Sequence, residues 1–257
     1  MNSPIVSIIT IVLNRKEDLE KTLESITNQS FKDKELIIID GGSTDGSLEV
    51  LDNYSENINI LVSEKDKGIY DAMNKGVKLA RGEWLSFMNA GDTYFNDKSL
   101  NDVFKKHYTD DYDLLIGDTV ISYKNFKKEL KVKALNKIWK GARFIHQSVL
   151  IKRIFQLKNL YNIDNKISAD FEFFYQTINA GSKIKILNQN VSIFQSGGIS
   201  DTSRIRSSAS NMKVVLKNEW SFYKLIFYIF KIIYETTKIP LKFILPKKVI
   251  SFIQQSK

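Results

Sequence analysis

Apolar and polar positions in the first hundred residues switch repeatedly between two periods. Ile5-Val-Ser-Ile-Ile-Thr-Ile-Val12 is a β-branched run too short for an ordinary helix, and in the stretch after it Leu19, Leu23 and Ile26 recur at helical spacing. A strand followed by a helix is predicted, with Asn14 as the helix N-cap. The alternation continues through a strand at Glu35–Asp40, a helix around Ser47–Tyr54, a strand at Asn59–Ser63, a helix near Tyr70–Arg81 and a strand at Trp84–Met88. Strands alternating with helices predict βαβ units and a mostly parallel sheet, whose right-handed crossovers gather ligands at the carboxyl ends of the strands.

Beyond residue 110 the alternation weakens. Asp113–Tyr123 and Lys127–Val132 read as strands, and Asp170–Ala180 as a helix with Phe171, Phe174 and Ile178 on one face. From Val214 the chain turns to Lys, aromatic and aliphatic residues, and Lys217, Lys224, Lys231 and Lys238 recur every seven positions, which predicts a lysine stripe along a helix. The longest apolar run there, Leu225–Phe230, is far shorter than the ~20 residues a membrane span requires. The expected organisation is a domain over 1–213, divided into halves 1–110 and 111–213, and a basic, aromatic, amphipathic tail over 214–257 that lies on an anionic membrane surface or else docks on the protein's own core or a dimer partner.

Composition narrows the function. The chain of 257 residues has no Cys, which excludes a disulfide scaffold, a thiolate metal site and a cysteine nucleophile. Residues 1–120 hold 13 Lys/Arg against 22 Asp/Glu, whereas residues 121–257 hold 25 against 7, so an acidic half suited to metal or hydroxyl chemistry precedes a basic half suited to anions. The amino end lacks a basic segment ahead of its apolar run, and a cytoplasmic protein, peripheral on the inner face of the plasma membrane, is expected.

Two turns gather the candidate chemistry. Asp40 closes a predicted strand and opens Gly41-Gly-Ser-Thr-Asp-Gly46, where a carboxylate can accept hydrogen bonds from a uracil N–H or a ribose hydroxyl, although Asp45 and Ser47 also fit a plain helix cap. This string lacks the G-x-G-x-x-G spacing of a dinucleotide site, and no Walker A lysine follows it. After the strand Trp84–Met88, the turn Asn89-Ala-Gly-Asp92 places Asp92 to ligate a hard cation together with phosphate oxygens and water.

Four ordered segments carry a resemblance: Ser7–Asn14, Leu36–Gly46, Ser63–Gly76 and Ala80–Asp92. In order and spacing they resemble the family 2 glycosyltransferases of the GT-A fold, and Glu64–Gly76 is similar to the bacterial branch that builds capsule, O-antigen and colanic-acid type polysaccharides. The resemblance implies an α/β GT-A nucleotide-diphospho-sugar transferase fold, a mostly parallel mixed sheet flanked by helices. It implies that Thr10, Asn14 and Asp40 hold the nucleoside and that Asp66, Lys67, Asp71, Asn74 and Lys75 line the nucleotide and diphosphate. Asn89-Ala90-Gly-Asp92 matches the family's Asp-x-Asp-type element, making Asn89 and Ala90 donor contacts and Asp92 the ligand of Mn²⁺ or Mg²⁺. Asn89 and Gly91 stand where the acidic pattern has carboxylates.

Ile167-Ser-Ala-Asp-Phe-Glu172 resembles the family's later acidic motif, which implies Asp170 as catalytic base, a residue equally placed to cap a helix. Phe144-Ile-His146-Gln147 resembles a His-Gln element of the same branch, implying contact with acceptor or phosphate, and Gln195-Ser-Gly197-Gly198-Ile-Ser200 reads as an acceptor or phosphate loop or as a plain glycine turn. The Gln-x-x-Arg-Trp element of processive members is missing, so a single inverting transfer is expected, from a UDP-sugar to an undecaprenyl-diphosphate-linked saccharide. Two other readings stand beside it: a non-catalytic scaffold of a polysaccharide assembly complex, and a nucleic-acid-binding protein. The second is disfavoured because the basic half shows no recognisable recognition motif.

Overall fold

The computed structural model describes residues 3–107, 111–133, 135–197 and 204–244. The chain divides into two units, Met1–Ser196 and Gly197–Lys257, so the boundary falls ahead of the expected 213/214.

The first unit is built on one sheet. Strands β1 (Val6–Val12), β2 (Lys34–Asp40), β3 (Ile60–Ser63) and β4 (Trp84–Phe87) are parallel, in the order β3-β2-β1-β4. Helices α1 (Lys16–Thr27), α2 (Ser47–Asn53) and α3 (Ile69–Leu79) connect them, matching the predicted alternation. The sheet then becomes mixed. Strand β8 (Val149–Lys152) pairs antiparallel with β4 and with β6 (Leu114–Ser122). Beyond β6 lie β9 (Ile184–Gln195), parallel to it, and the short β5 (Thr93–Tyr94); β7 (Lys127–Leu130) forms a hairpin with β6. Helices α4 (Ser99–His107), α5 (Arg153–Lys158) and α6 (Ala169–Asn179) complete the unit. The sequence pattern gave no sign of β5, α4, β8, α5 or β9.

Strand β1 is buried at every position, as a central parallel strand covered on both faces must be. On one face Leu19, Leu23 and Ile26 of α1 pack onto Ile8, Val12, Leu36 and Ile38. On the other, α3 runs so close to β1 that a Cβ on Gly76 would lie 2.4 Å from Ile9 Cγ2. At the amino ends of the strands the buried Glu35 accepts hydrogen bonds from Ser7 Oγ (2.5 Å), Gly82 N (3.1 Å) and the Arg81 guanidinium (2.9 Å). Burial pushes the Glu35 carboxyl upward, but the bonds from Ser7 and Arg81 outweigh it and hold the group below the ordinary range. This network fastens one edge of the sheet and leaves the opposite edge to carry chemistry.

The second unit contains α7 (Arg204–Asn218) and α8 (Phe222–Ile244), which pack together. The expected four-lysine stripe does not run along one helix, although Lys224 and Lys231 share one side of α8. Lys217 belongs to α7, the chain breaks helix before α8, and Lys224 is buried with its ammonium 2.6 Å from Glu219 Oε2. Lys231 is half-buried over the Tyr228 ring, where burial lowers its pKa, and the Lys238 side chain lies outside those described. An amphipathic helix buries one stripe, and α8 turns Lys224 and Lys231 toward that side because its opposite face is also apolar.

Candidate functional site

The carboxyl ends of β1, β2 and β4 converge through side chains that cross between loops. Asn14 does not cap α1. It sits at φ 50°, donates its backbone N–H to Ser43 Oγ (2.8 Å), and its Oδ1 accepts from Thr44 N (2.8 Å). The cap comes from the neighbouring loop: Asp45 Oδ2 accepts from Lys16 N (3.0 Å) at the start of α1, and its Oδ1 accepts from Ser47 N (3.0 Å) at the start of α2. One carboxylate therefore serves two helix N-termini, and its hydrogen bonds, chiefly from Ser47, lower its pKa. Asp40 is fully buried, accepting from Gly42 N (3.1 Å), Ser43 N (3.1 Å) and Ser63 Oγ (2.6 Å), so its carboxylate organises the turn. Thr10 is buried within β1, and its hydroxyl has no hydrogen-bond partner among the described residues.

The segment after β3 folds over this edge. Asp66 Oδ1 accepts from Lys75 Nζ (2.5 Å), which also contacts Glu64 Oε1 (2.7 Å), and these bonds keep the ammonium protonated far above its ordinary range. Lys75, expected to line the diphosphate, is thus ion-paired with Asp66 and Glu64. Asp66 approaches the β2 turn closely enough that a Cβ on Gly41 would lie 3.2 Å from its Oδ2. Asp71 accepts from Lys67 N (3.0 Å) at the start of α3, and the Lys67 carbonyl accepts from Lys166 Nζ (2.9 Å). Asn74, expected to line the nucleotide, is buried and clamps the Tyr161 main chain: Nδ2 donates to the carbonyl (2.8 Å) and Oδ1 accepts from the amide (2.9 Å).

The turn after β4 is held by Thr22, the one hydroxyl on the buried face of α1. Thr22 Oγ1 donates to the Asp92 carbonyl (2.8 Å) and accepts from Gly91 N (3.0 Å), while Gly91 takes φ +106°, a conformation that needs no side chain. Asp92 is buried, with Oδ2 accepting from Gln147 Nε2 (2.7 Å) and Oδ1 from Gln195 N (3.0 Å). Burial pushes its carboxyl up to about 7, against the Gln195 N–H, the Arg15 charge and Gln147, which pull it down. Gln147 stands on a short turn, His146–Ser148, fixed by a buried hydroxyl chain of Ser148 to Thr119 (2.7 Å) and Ser192 (2.6 Å). The two sequence motifs, 55 residues apart, thus meet at one carboxylate.

The donor set for a cation is thin. Among the described residues no group of three or more His, Asp or Glu side chains is arranged to hold a metal ion. Asp92 has about two of its roughly four lone-pair sites left after its hydrogen bonds. On the same turn Asn89 Oδ1 is buried and accepts no hydrogen bond from any described residue. Such oxygens fit Mn²⁺ or Mg²⁺ as minor ligands, with a diphosphate and water completing the shell.

Asp170 lies in the first turn of α6, whose N-cap is Ser168, so it does not cap the helix. Tyr70 Oη donates to Asp170 Oδ1 (2.8 Å) across 100 residues of sequence. Burial and then the Asp170 charge raise the Tyr70 pKa, keeping the hydroxyl a donor. Behind it, Tyr161 Oη and His146 Nε2 are 2.9 Å apart, and the His146 ring packs between Phe87 (4.7 Å) and Phe174 (5.5 Å). Burial pushes the His146 pKa down to about 4, so the ring is neutral at pH 7. Gly197 sits in a turn at φ +106°, and Gly198 lies outside the described residues. Thr22 and Tyr70 were not singled out as site residues, whereas Gln195 opens the expected Gln195–Ser200 loop and its N–H reaches Asp92. Thr22 was visible as the polar interruption of an apolar helix face, and Tyr70 as an aromatic inside the Asp66–Lys75 segment.

Residues 7–174 match the family model described as glycosyl transferase family 2. A Mycobacterium tuberculosis PGL/p-HBAD biosynthesis glycosyltransferase is 33% identical over 190 residues, covering 67% of this chain and 69% of the relative. A cholesterol galactosyltransferase of Borreliella burgdorferi is 27% identical over 247 residues, covering 84% of this chain and 69% of the relative. Among solved structures, S. aureus TarS 1-349 in complex with UDP-GlcNAc superposes with a TM-score of 0.66 at 17% identity, covering 82% of this chain and 66% of that one. The mannosyltransferase PcManGT from Pyrobaculum calidifontis, in complex with GDP-Man and Mn²⁺, superposes with a TM-score of 0.65 at 16% identity, covering 85% of this chain and 65% of that one. The chain thus spans just under two thirds of each of these solved chains, which share its α/β GT-A type fold. By its match over residues 7–174 and the fold built on them, the chain belongs to glycosyl transferase family 2.

Proposed function

We propose that this glycosyltransferase moves one sugar from a UDP-sugar to a lipid-linked saccharide, an undecaprenyl-diphosphate-linked acceptor in surface-polysaccharide assembly, with inversion at the anomeric carbon. The observation that carries the proposal is the 2.8 Å bond from Tyr70 Oη to Asp170, which orients one carboxylate oxygen and leaves the other to accept a proton. Asp170 removes the acceptor hydroxyl proton as that oxygen attacks the anomeric carbon. The bond from that carbon to the diphosphate oxygen breaks on the opposite face, its electron pair leaves with UDP, and the proton stays on Asp170. Asp92 and Asn89 are the residues that would hold Mn²⁺ or Mg²⁺, and the cation would neutralise charge growing on the leaving group. Arg15, whose charge is felt at Asp92, adds to that positive potential. UDP as the nucleotide is supported by the sequence resemblance and by the UDP-GlcNAc complex of TarS. GDP, as in the PcManGT complex, is the alternative.

Replacing Asp170 with Asn tests the assignment. Turnover is expected to fall by roughly 10²–10⁴, the range of general-base assistance, with donor affinity unchanged. A variant with normal turnover would remove Asp170 from the mechanism. The second reading, a donor-binding scaffold, is favoured by the thin donor set at Asp92, and product formation from any acceptor excludes it.

A further inference from the structure

The exposed face of α8 is aromatic and aliphatic. Trp220, just before the helix, is 71% exposed, and Phe222 and Phe230 are 64% and 68% exposed. Ile229 and Ile233 are exposed beside them. At 100° per residue, Phe222, Tyr223, Ile229, Phe230, Ile233 and Tyr234 fall within an arc of about 140°, and Lys224 and Lys231 lie on the opposite side of the helix. Contiguous exposed apolar side chains of this kind mark an interaction surface. No described helix is long and apolar enough to cross a membrane.

We propose that this aromatic face seats α8 flat in the interface of an anionic lipid bilayer. Three observations select that occupant. Trp, Tyr and Phe together with aliphatic residues are the composition that partitions to the boundary between head groups and acyl chains. Residues 197–257 hold eleven Lys/Arg against three Asp/Glu, so the unit attracts anionic head groups and repels a second copy of itself. The basic residues exposed on α7, Arg204, Arg206, Lys213 and Lys217, do not interrupt the apolar arc, so attraction and insertion are supplied by different side chains. The proposal depends on these residues alone and stands or falls separately from the roles of Asp170 and Asp92.

Flotation of the full chain with vesicles tests it, using phosphatidylcholine containing about 30% phosphatidylglycerol, and phosphatidylcholine alone. The wild type is expected to float with the anionic vesicles, less so as salt rises, and much more weakly with phosphatidylcholine. Trp220 fluorescence should shift to the blue on binding, against the already buried Trp84. The triple variant Phe222→Ser, Phe230→Ser, Ile233→Ser should lose at least tenfold in vesicle affinity while its unfolding temperature and nucleotide binding stay at wild-type values. Absence of flotation, or flotation of the triple variant at the wild-type level, would overturn the proposal. So would a wild-type dimer in solution that the triple substitution converts to monomer, because a second copy would then be the occupant.

Discussion

Replacing His146 with Phe converts a buried neutral ring into a measurable pH dependence of stability. His146 is 7% exposed, packs against Phe87 and Phe174, and has its pKa pushed down by burial to about 4. The unfolded chain binds a proton on this residue as pH falls through about 6.5, and the folded chain refuses it until about 4. The stability linked to His146 is therefore fully present above 6.5 and is lost as pH falls toward 4. With those two values the loss is negligible at about pH 7.5 and reaches about 2 kcal/mol at about pH 5. Phe keeps the aromatic packing and removes the titration, but strands the Tyr161 hydroxyl, at a cost of roughly 1–3 kcal/mol at any pH. Asp92, whose pKa is raised to about 7, works in the other sense, since the folded chain takes up its proton first as pH falls. That contribution is common to both proteins and cancels in the comparison. Urea unfolding of both proteins at the two pH values should therefore show the stability gap narrowing by about 2 kcal/mol at the lower pH. An unchanged gap would mean that His146 titrates like an exposed histidine, and the buried-ring argument would fail.

Three further outcomes are expected. Tyr70→Phe removes a hydrogen bond to a charged partner, worth roughly 1.5–3 kcal/mol, and should lower kcat about tenfold to a hundredfold while leaving donor Kd unchanged; equal losses in both would make Tyr70 a purely structural residue. Gln147→Leu should weaken nucleotide-sugar binding about tenfold in calorimetry by freeing the Asp92 side chain, and Gln147→Glu should weaken it more by setting a second carboxylate beside Asp92; wild-type affinity in both would show that Asp92 needs no such support. Gly76→Ala places a methyl 2.4 Å from Ile9 Cγ2, so α3 must move off β1 at a cost of roughly 1–3 kcal/mol; a thermal unfolding midpoint at or above the wild-type value would contradict the close approach.

The pattern of apolar positions by itself determined the first half of the fold. A β-branched run followed by Leu19, Leu23 and Ile26 at helical spacing admits only a strand and a helix, because each period is set by the backbone geometry of neighbouring residues. The same local logic put Asp40 and the Asn89–Asp92 turn at the carboxyl edge of the parallel strands. Partners were beyond its reach. That Gln147 meets Asp92, that Tyr70 meets Asp170, and that Asp45 caps a helix 29 residues upstream follow from the order β2-β1-β4-β8-β6, which no hydrophobic period encodes. His146 and Asn74 carry polar groups that suit a site equally well as a core, and only the tertiary structure showed both buried against Tyr161. The tail shows the same division: spacing placed its lysines on one stripe, but α8 is apolar on both sides, and only its packing decided that Lys224 and Lys231 turn inward and the aromatic face meets the solvent.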